Sequence, residues 1–132
     1  MFTFLLIVSS TQCPDIYALV SGLGVTRRES GLRCLAHAPD GMEGGWIAIQ
    51  ALEHAEVDYD EDELKIVTSS IKAPRFFLVE GRDGDLNFAN RFVLGLDADR
   101  PFLIDNDHGL IDTARHMQQR INAGKDWLHL PG

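Results

Sequence analysis

The stretch Phe2-Thr3-Phe4-Leu5-Leu6-Ile7-Val8-Ser9 (FTFLLIVS) decides how the rest of the chain is read. It is rich in aromatic and branched aliphatic residues with no strict alternation, the pattern of a strand covered on both faces. A strand of that kind sits in the interior of a sheet, so later segments must flank it. Its apolar run from Phe2 to Val8 would also suit the core of a signal peptide, but no Lys or Arg precedes Arg27 and no small-x-small cleavage pattern follows. Nowhere does an uncharged apolar run reach the roughly 18 residues that span a bilayer. The expectation is a buried first strand in a cytoplasmic chain with no membrane partner.

Working outward, Pro14 takes a first-turn helix position with Thr11 or Cys13 as cap, and Ile16, Leu19, Val20 and Leu23 recur at helical spacing up to Gly22 and Gly24. Residues 27–31 are polar and turn-like. Leu32, Cys34 and Ala36 then alternate as a second strand, and Pro39-Asp40-Gly41 with Gly44-Gly45 forms a turn region. Residues 46–52 read as a third strand, with alanines at 48, 51 and 55 leaving helix as a rival. An acidic first turn from Asp60 opens a helix carrying Leu64, Val67, Thr68 and Ile71, closed by Pro74, and residues 75–80 give a fourth strand before an Arg82-Asp83-Gly84 turn. This β-α-β-β-α-β order predicts a ferredoxin-like α+β domain, an antiparallel sheet with its helices on one face. Residues 86–96 fit a helix capped by Asp85 or a strand. Beyond them, a hairpin (101–105, a turn at 106–109, then 110–111) and a helix capped by Asp112 extend the domain, with Trp127, Leu128 and Leu130 folding back onto the core.

A chain of 132 residues suits one hydrophobic core, so a single domain over 1–132 is expected. The formal net charge of -8 argues against nucleic acid, which needs a basic face, and would favour a basic partner. Two cysteines are too few for a disulfide-built scaffold and suit a reducing compartment.

The densest charged feature is Glu53, Glu56, Asp58, Asp60, Glu61, Asp62 and Glu63. It can serve as a landing patch for a basic protein, with Trp46 beside two glycines as a contact anchor, or it can be a solvated loop entering a helix start that favours acids anyway. The same acids lack the glycine and spacing of a calcium loop. Cys13-Pro14 stands where a strand gives way to a helix, a place where backbone N–H groups and the helix dipole activate a thiol, so Cys13 is the candidate for a cysteine-based enzyme or redox protein; a buried, inert thiol is the alternative. Residues 105–109 (DNDHG) join two carboxylates and an imidazole, yet each is at home in a turn. His37, His54, His116 and His129 show no ligand spacing, and no phosphate-loop motif occurs. No metal and no cofactor is therefore expected.

The C-terminal third, RPFLIDNDHGLIDTARHMQQRINAGKDWL, resembles the close of several small bacterial immunity proteins: strand, Asp/Asn-Gly turn, short strand, helix, then Trp. The resemblance covers residues 100–128 and implies a cytoplasmic antidote that binds a toxin domain through acidic side chains; it carries over no contact residue. The leading expectation is thus a non-enzymatic acidic binding protein of immunity type, against a Cys13 enzyme and, as a third class, a homodimeric ferredoxin-like ligand-binding domain.

Overall fold

The computed structural model describes residues 1–30 and 32–131. Among them lie seven strands: β1 (Phe2–Ser9), β2 (Val25–Glu29), β3 (Arg33–Ala38), β4 (Gly41–Leu52), β5 (Pro74–Arg82), β6 (Leu103–Asp105) and β7 (Ile111–Thr113). Four α-helices accompany them: α1 (Ile16–Ser21), α2 (Glu61–Ser70), α3 (Phe88–Leu94) and α4 (Ala114–Asn122). The strands form one antiparallel sheet in the order β2-β3-β4-β5-β1-β6-β7. The α+β class is as expected, and β1 is an interior strand, paired with β5 along its whole length and with β6 on its other side.

That strand order does not show the expected ferredoxin-like arrangement. In a split βαβ unit a helix joins two parallel strands with one strand between them; β1 and β2 are likewise parallel, but three strands, β3, β4 and β5, separate them. Here the chain leaves β1 through the six-residue α1 and reaches the sheet's far edge, four strand spacings or roughly 19 Å away. From there it returns through the antiparallel strands β3 and β4, passes through α2, and re-enters the sheet as β5 beside β1. Connections by turn favour neighbouring antiparallel strands, and the hydrophobic pattern of each strand suits either neighbour equally.

The helices also lie on both faces rather than one. Phe4, Leu6 and Val8 of β1 point to the larger core with Val20 of α1, Phe88, Phe92 and Val93 of α3, and Met117 of α4. Ile7 points the other way and packs with Phe76, Leu103 and, from α2, Val67 and Ile71. Opposite parity along one strand thus explains why FTFLLIVS lacks alternation.

Local chemistry accounts for the elements. Asp60 caps α2 by accepting the Glu63 N–H at 2.8 Å while Glu63 accepts from the Asp60 N–H, a reciprocal capping box. The undecided 86–96 segment is helical over Phe88–Leu94, with Phe88, Ala89, Phe92 and Val93 buried on one face. Asp83, not Asp85, accepts the Ala89 N–H. The turn predicted at Gly44-Gly45 lies inside β4 instead; Gly45 has φ 118, and a Cβ there would come 2.7 Å from the Asp83 carbonyl oxygen. Of residues 27–31, read as a turn, Arg27, Arg28 and Glu29 instead belong to the charged edge strand β2.

The C-terminal extension closes on Asn106, which is fully buried. Its Nδ2 donates to the Trp127 and Leu130 carbonyls at 2.8 and 2.7 Å, and its Oδ1 accepts from the His108 and Leu110 N–H groups. Trp127 meets Phe4 edge-on at 5.1 Å and donates to Asn90. Thr113, rather than Asp112, caps α4.

Candidate functional site

On the face that α2 covers only in part, Thr3, Leu5 and Leu78 floor a cleft of about 460 Å³. One wall comes from the segment joining β4 to α2, with Glu53, His54, Asp58 and Tyr59, and from Glu63 in the first turn of α2; the other is the β6–β7 turn, with Asp105 and Asp107. Five carboxylates line this space and no Lys or Arg does. Of the seven acids singled out in the sequence, the structure brings Glu53, Asp58 and Glu63 into the cleft. Asp60 is occupied as the α2 cap. Glu61 and Asp62 occupy the first turn of α2, outside the cleft, where the helix dipole favours them. Glu56 borders a neighbouring hollow with Glu53 and Arg75.

Tyr59, which sequence reading missed, and Asp105, which it weighed as part of a turn, hold the walls together. Tyr59 donates its hydroxyl to Asp105 Oδ2 at 2.6 Å, and Asp105 Oδ1 accepts the Asp107 N–H. Burial raises the Tyr59 pKa well above its ordinary value, and the hydrogen bond to Asp105 and the charges of Asp105, Glu63 and Asp107 act in the same direction, so the phenol stays a neutral donor. Asp105 is 8% exposed. An aromatic residue inside an acidic run, as in Asp58-Tyr59-Asp60, is the one signal that could have flagged this linkage.

Trp46 does not share the site. It lies six residues before Leu52 on β4, roughly 20 Å along the strand. Its indole is half-buried beneath the Arg33 guanidinium, 5.8 Å from the ring centroid. Arg33 is itself engaged by Glu29 and Glu80 at 3.0 and 2.7 Å.

Comparison of the chain with known protein families, characterised proteins and solved structures finds no match.

Cys13 is not at the helix start. Asp15 caps α1 by accepting the Tyr17 N–H, which leaves Cys13 two residues outside the cap with its thiol 3.6 Å from the Pro14 carbonyl oxygen. The structure instead brings Cys13 and the buried Cys34 to one cavity of about 290 Å³ on the opposite face of the sheet, and both are free thiols. Burial pushes the Cys34 thiol pKa up, with nearby Arg28 opposing.

The histidines are dispersed. His116 contacts Asp112 at 2.7 Å, His37 contacts the Ala38 carbonyl, the His108 and His129 rings lie 5.5 Å apart at a tilt of 55°, and His54 stands at the rim of the acidic cleft. Among the described residues no three His, Cys, Asp or Glu side chains are grouped so as to hold a metal ion, and no helix is long and apolar enough to cross a membrane.

Proposed function

We propose that the chain is a non-enzymatic binding protein of immunity type, acting in the cytoplasm, whose acidic cleft receives a basic side chain of a partner protein. The observation that supports this reading is the convergence of five carboxylates from two separate walls on a space lined by no Lys or Arg. Carboxylates gathered in a concave site raise the local potential for a cation above that of the same charges spread over a convex surface. A Lys or Arg side chain suits the apolar floor as well, since its methylene stem packs on Leu5 and Leu78 while its head reaches the rim. Complementary charge of this kind speeds association and selects partners.

The test is titration with an arginine-rich peptide, followed by NMR. Glu53→Gln/Asp58→Asn/Asp107→Asn neutralises the cleft and leaves the α2 capping box intact. Asp40→Asn/Glu43→Gln/Asp85→Asn removes the same charge from exposed positions elsewhere. The cleft variant is expected to bind about tenfold more weakly, a loss of about 1.4 kcal/mol, and the control less than about twofold. Equal weakening by both would show that only net charge matters and would sink the proposal.

A further inference from the structure

We infer that the cavity shared by Cys13 and Cys34 is a binding site for a small carboxylate with an apolar body. It opens on the larger-core face, between the segment entering α1 and strands β2 to β5, and Ile16, Ala51 and Phe77 form its apolar wall. Three arginines line it. Arg33 is already paired with Glu29 and Glu80. Arg28 and Arg75 are different: among the described residues neither has a carboxylate within ion-pair distance. The two acids that share the lining are engaged, Asp15 with the Tyr17 N–H and Glu29 with Arg27 and Arg33.

Both unpaired guanidiniums are held by ring contacts rather than by charge. Arg28 lies 4.3 Å from the Tyr17 ring centroid and Arg75 5.3 Å from that of Phe77. Stacking fixes the plane of a guanidinium while leaving its edge donors available, the geometry that suits bidentate binding of a carboxylate. In a chain with 20 acidic and 12 basic residues, a cavity lined by three arginines and two acids is a local reversal of the overall charge. The cavity lies near the lower end of the roughly 300–1,000 Å³ typical of small-molecule sites, which limits the ligand to the size of an arylalkanoic or medium-chain acid. This site is separate from the acidic cleft and does not rest on its function.

Both thiols border the cavity, so occupancy is read by alkylation. The intact protein is treated with iodoacetamide in the presence of 3-phenylpropionate or of 3-phenylpropanol, which has the same body without the charge, and Cys13 modification is followed by mass spectrometry. The acid is expected to slow Cys13 alkylation at least about fivefold at saturation, and the alcohol less than about twofold. Arg28→Gln and Arg75→Gln, both at exposed positions, should each raise the half-protecting concentration of the acid about tenfold while lowering the melting temperature by no more than about 5 °C, the loss of one exposed cation–π contact. Equal protection by the alcohol, no protection by millimolar acid, or undiminished protection in the two variants would each overturn the assignment.

Discussion

Asn106→Asp removes one amide and adds no volume, yet it should be among the most damaging changes available to this chain. The carboxylate keeps the Oδ1 acceptor for His108 and Leu110 but turns a second oxygen toward the Trp127 and Leu130 carbonyls, 2.8 and 2.7 Å away. Two hydrogen bonds at about 1 kcal/mol each are lost, and the buried oxygens left facing one another add about 1–3 kcal/mol, for a total of about 3–5 kcal/mol. At roughly 3–5 °C per kcal/mol for a chain of this size, the melting temperature should fall by roughly 10–25 °C. The penalty should depend on pH. Burial raises the folded-state pKa of an aspartic acid at this position above its unfolded value near about 3.9, so the variant's deficit is smallest below that pH and grows as pH rises through the folded pKa. Urea unfolding at pH 4 and pH 7, followed by the fluorescence of the buried Trp127, measures both effects. A loss below about 1 kcal/mol at pH 7, or one that does not change with pH, would refute the view that Asn106 ties the hairpin turn to the C-terminal tail.

Tyr59 gives a second pH test. Its folded pKa is raised, so its stabilising contribution is complete below the unfolded phenol value of about 10 and falls above it, by at most about 1.4 kcal/mol per pH unit. Thermal unfolding from pH 8 to 11 should show wild type losing stability relative to Tyr59→Phe only above pH 10; parallel profiles would contradict the buried Tyr59–Asp105 hydrogen bond. Asp60→Ala removes the α2 capping box and should lower unfolding free energy by about 1 kcal/mol while leaving arginine-peptide affinity within about twofold, because Asp60 caps a helix rather than lining the cleft. A tenfold loss of affinity in a variant of unchanged stability would reverse that division of roles.

Local patterns were enough to reveal several elements. FTFLLIVS announced an interior strand because both of its faces are apolar, and α2 was visible from its acidic first turn and its Val67 and Ile71 spacing. The DNDHG turn was legible because Asx side chains bond their own backbone, as Asp105 and Asn106 do. These readings depend on contacts within a few residues, which spacing along the chain encodes directly. Strand β2 escaped because an edge strand has little apolar surface, and its Arg27, Arg28 and Glu29 look like a turn.

Pairing and convergence were settled only by tertiary structure. Whether β1 meets β5 or another strand depends on which surfaces complete a core, and the apolar residues of either neighbour satisfy a one-dimensional pattern equally well. The same holds for the sites: Tyr59 and Asp105 are 46 positions apart in sequence, yet one hydrogen bond joins their walls, and Cys13 and Cys34 share a cavity with no motif linking them. Acidity belongs to composition and is present in any conformation, but its concentration in one cleft, and the gathering of three arginines at one cavity on the opposite face, come from the folding of a sheet with helices on both sides.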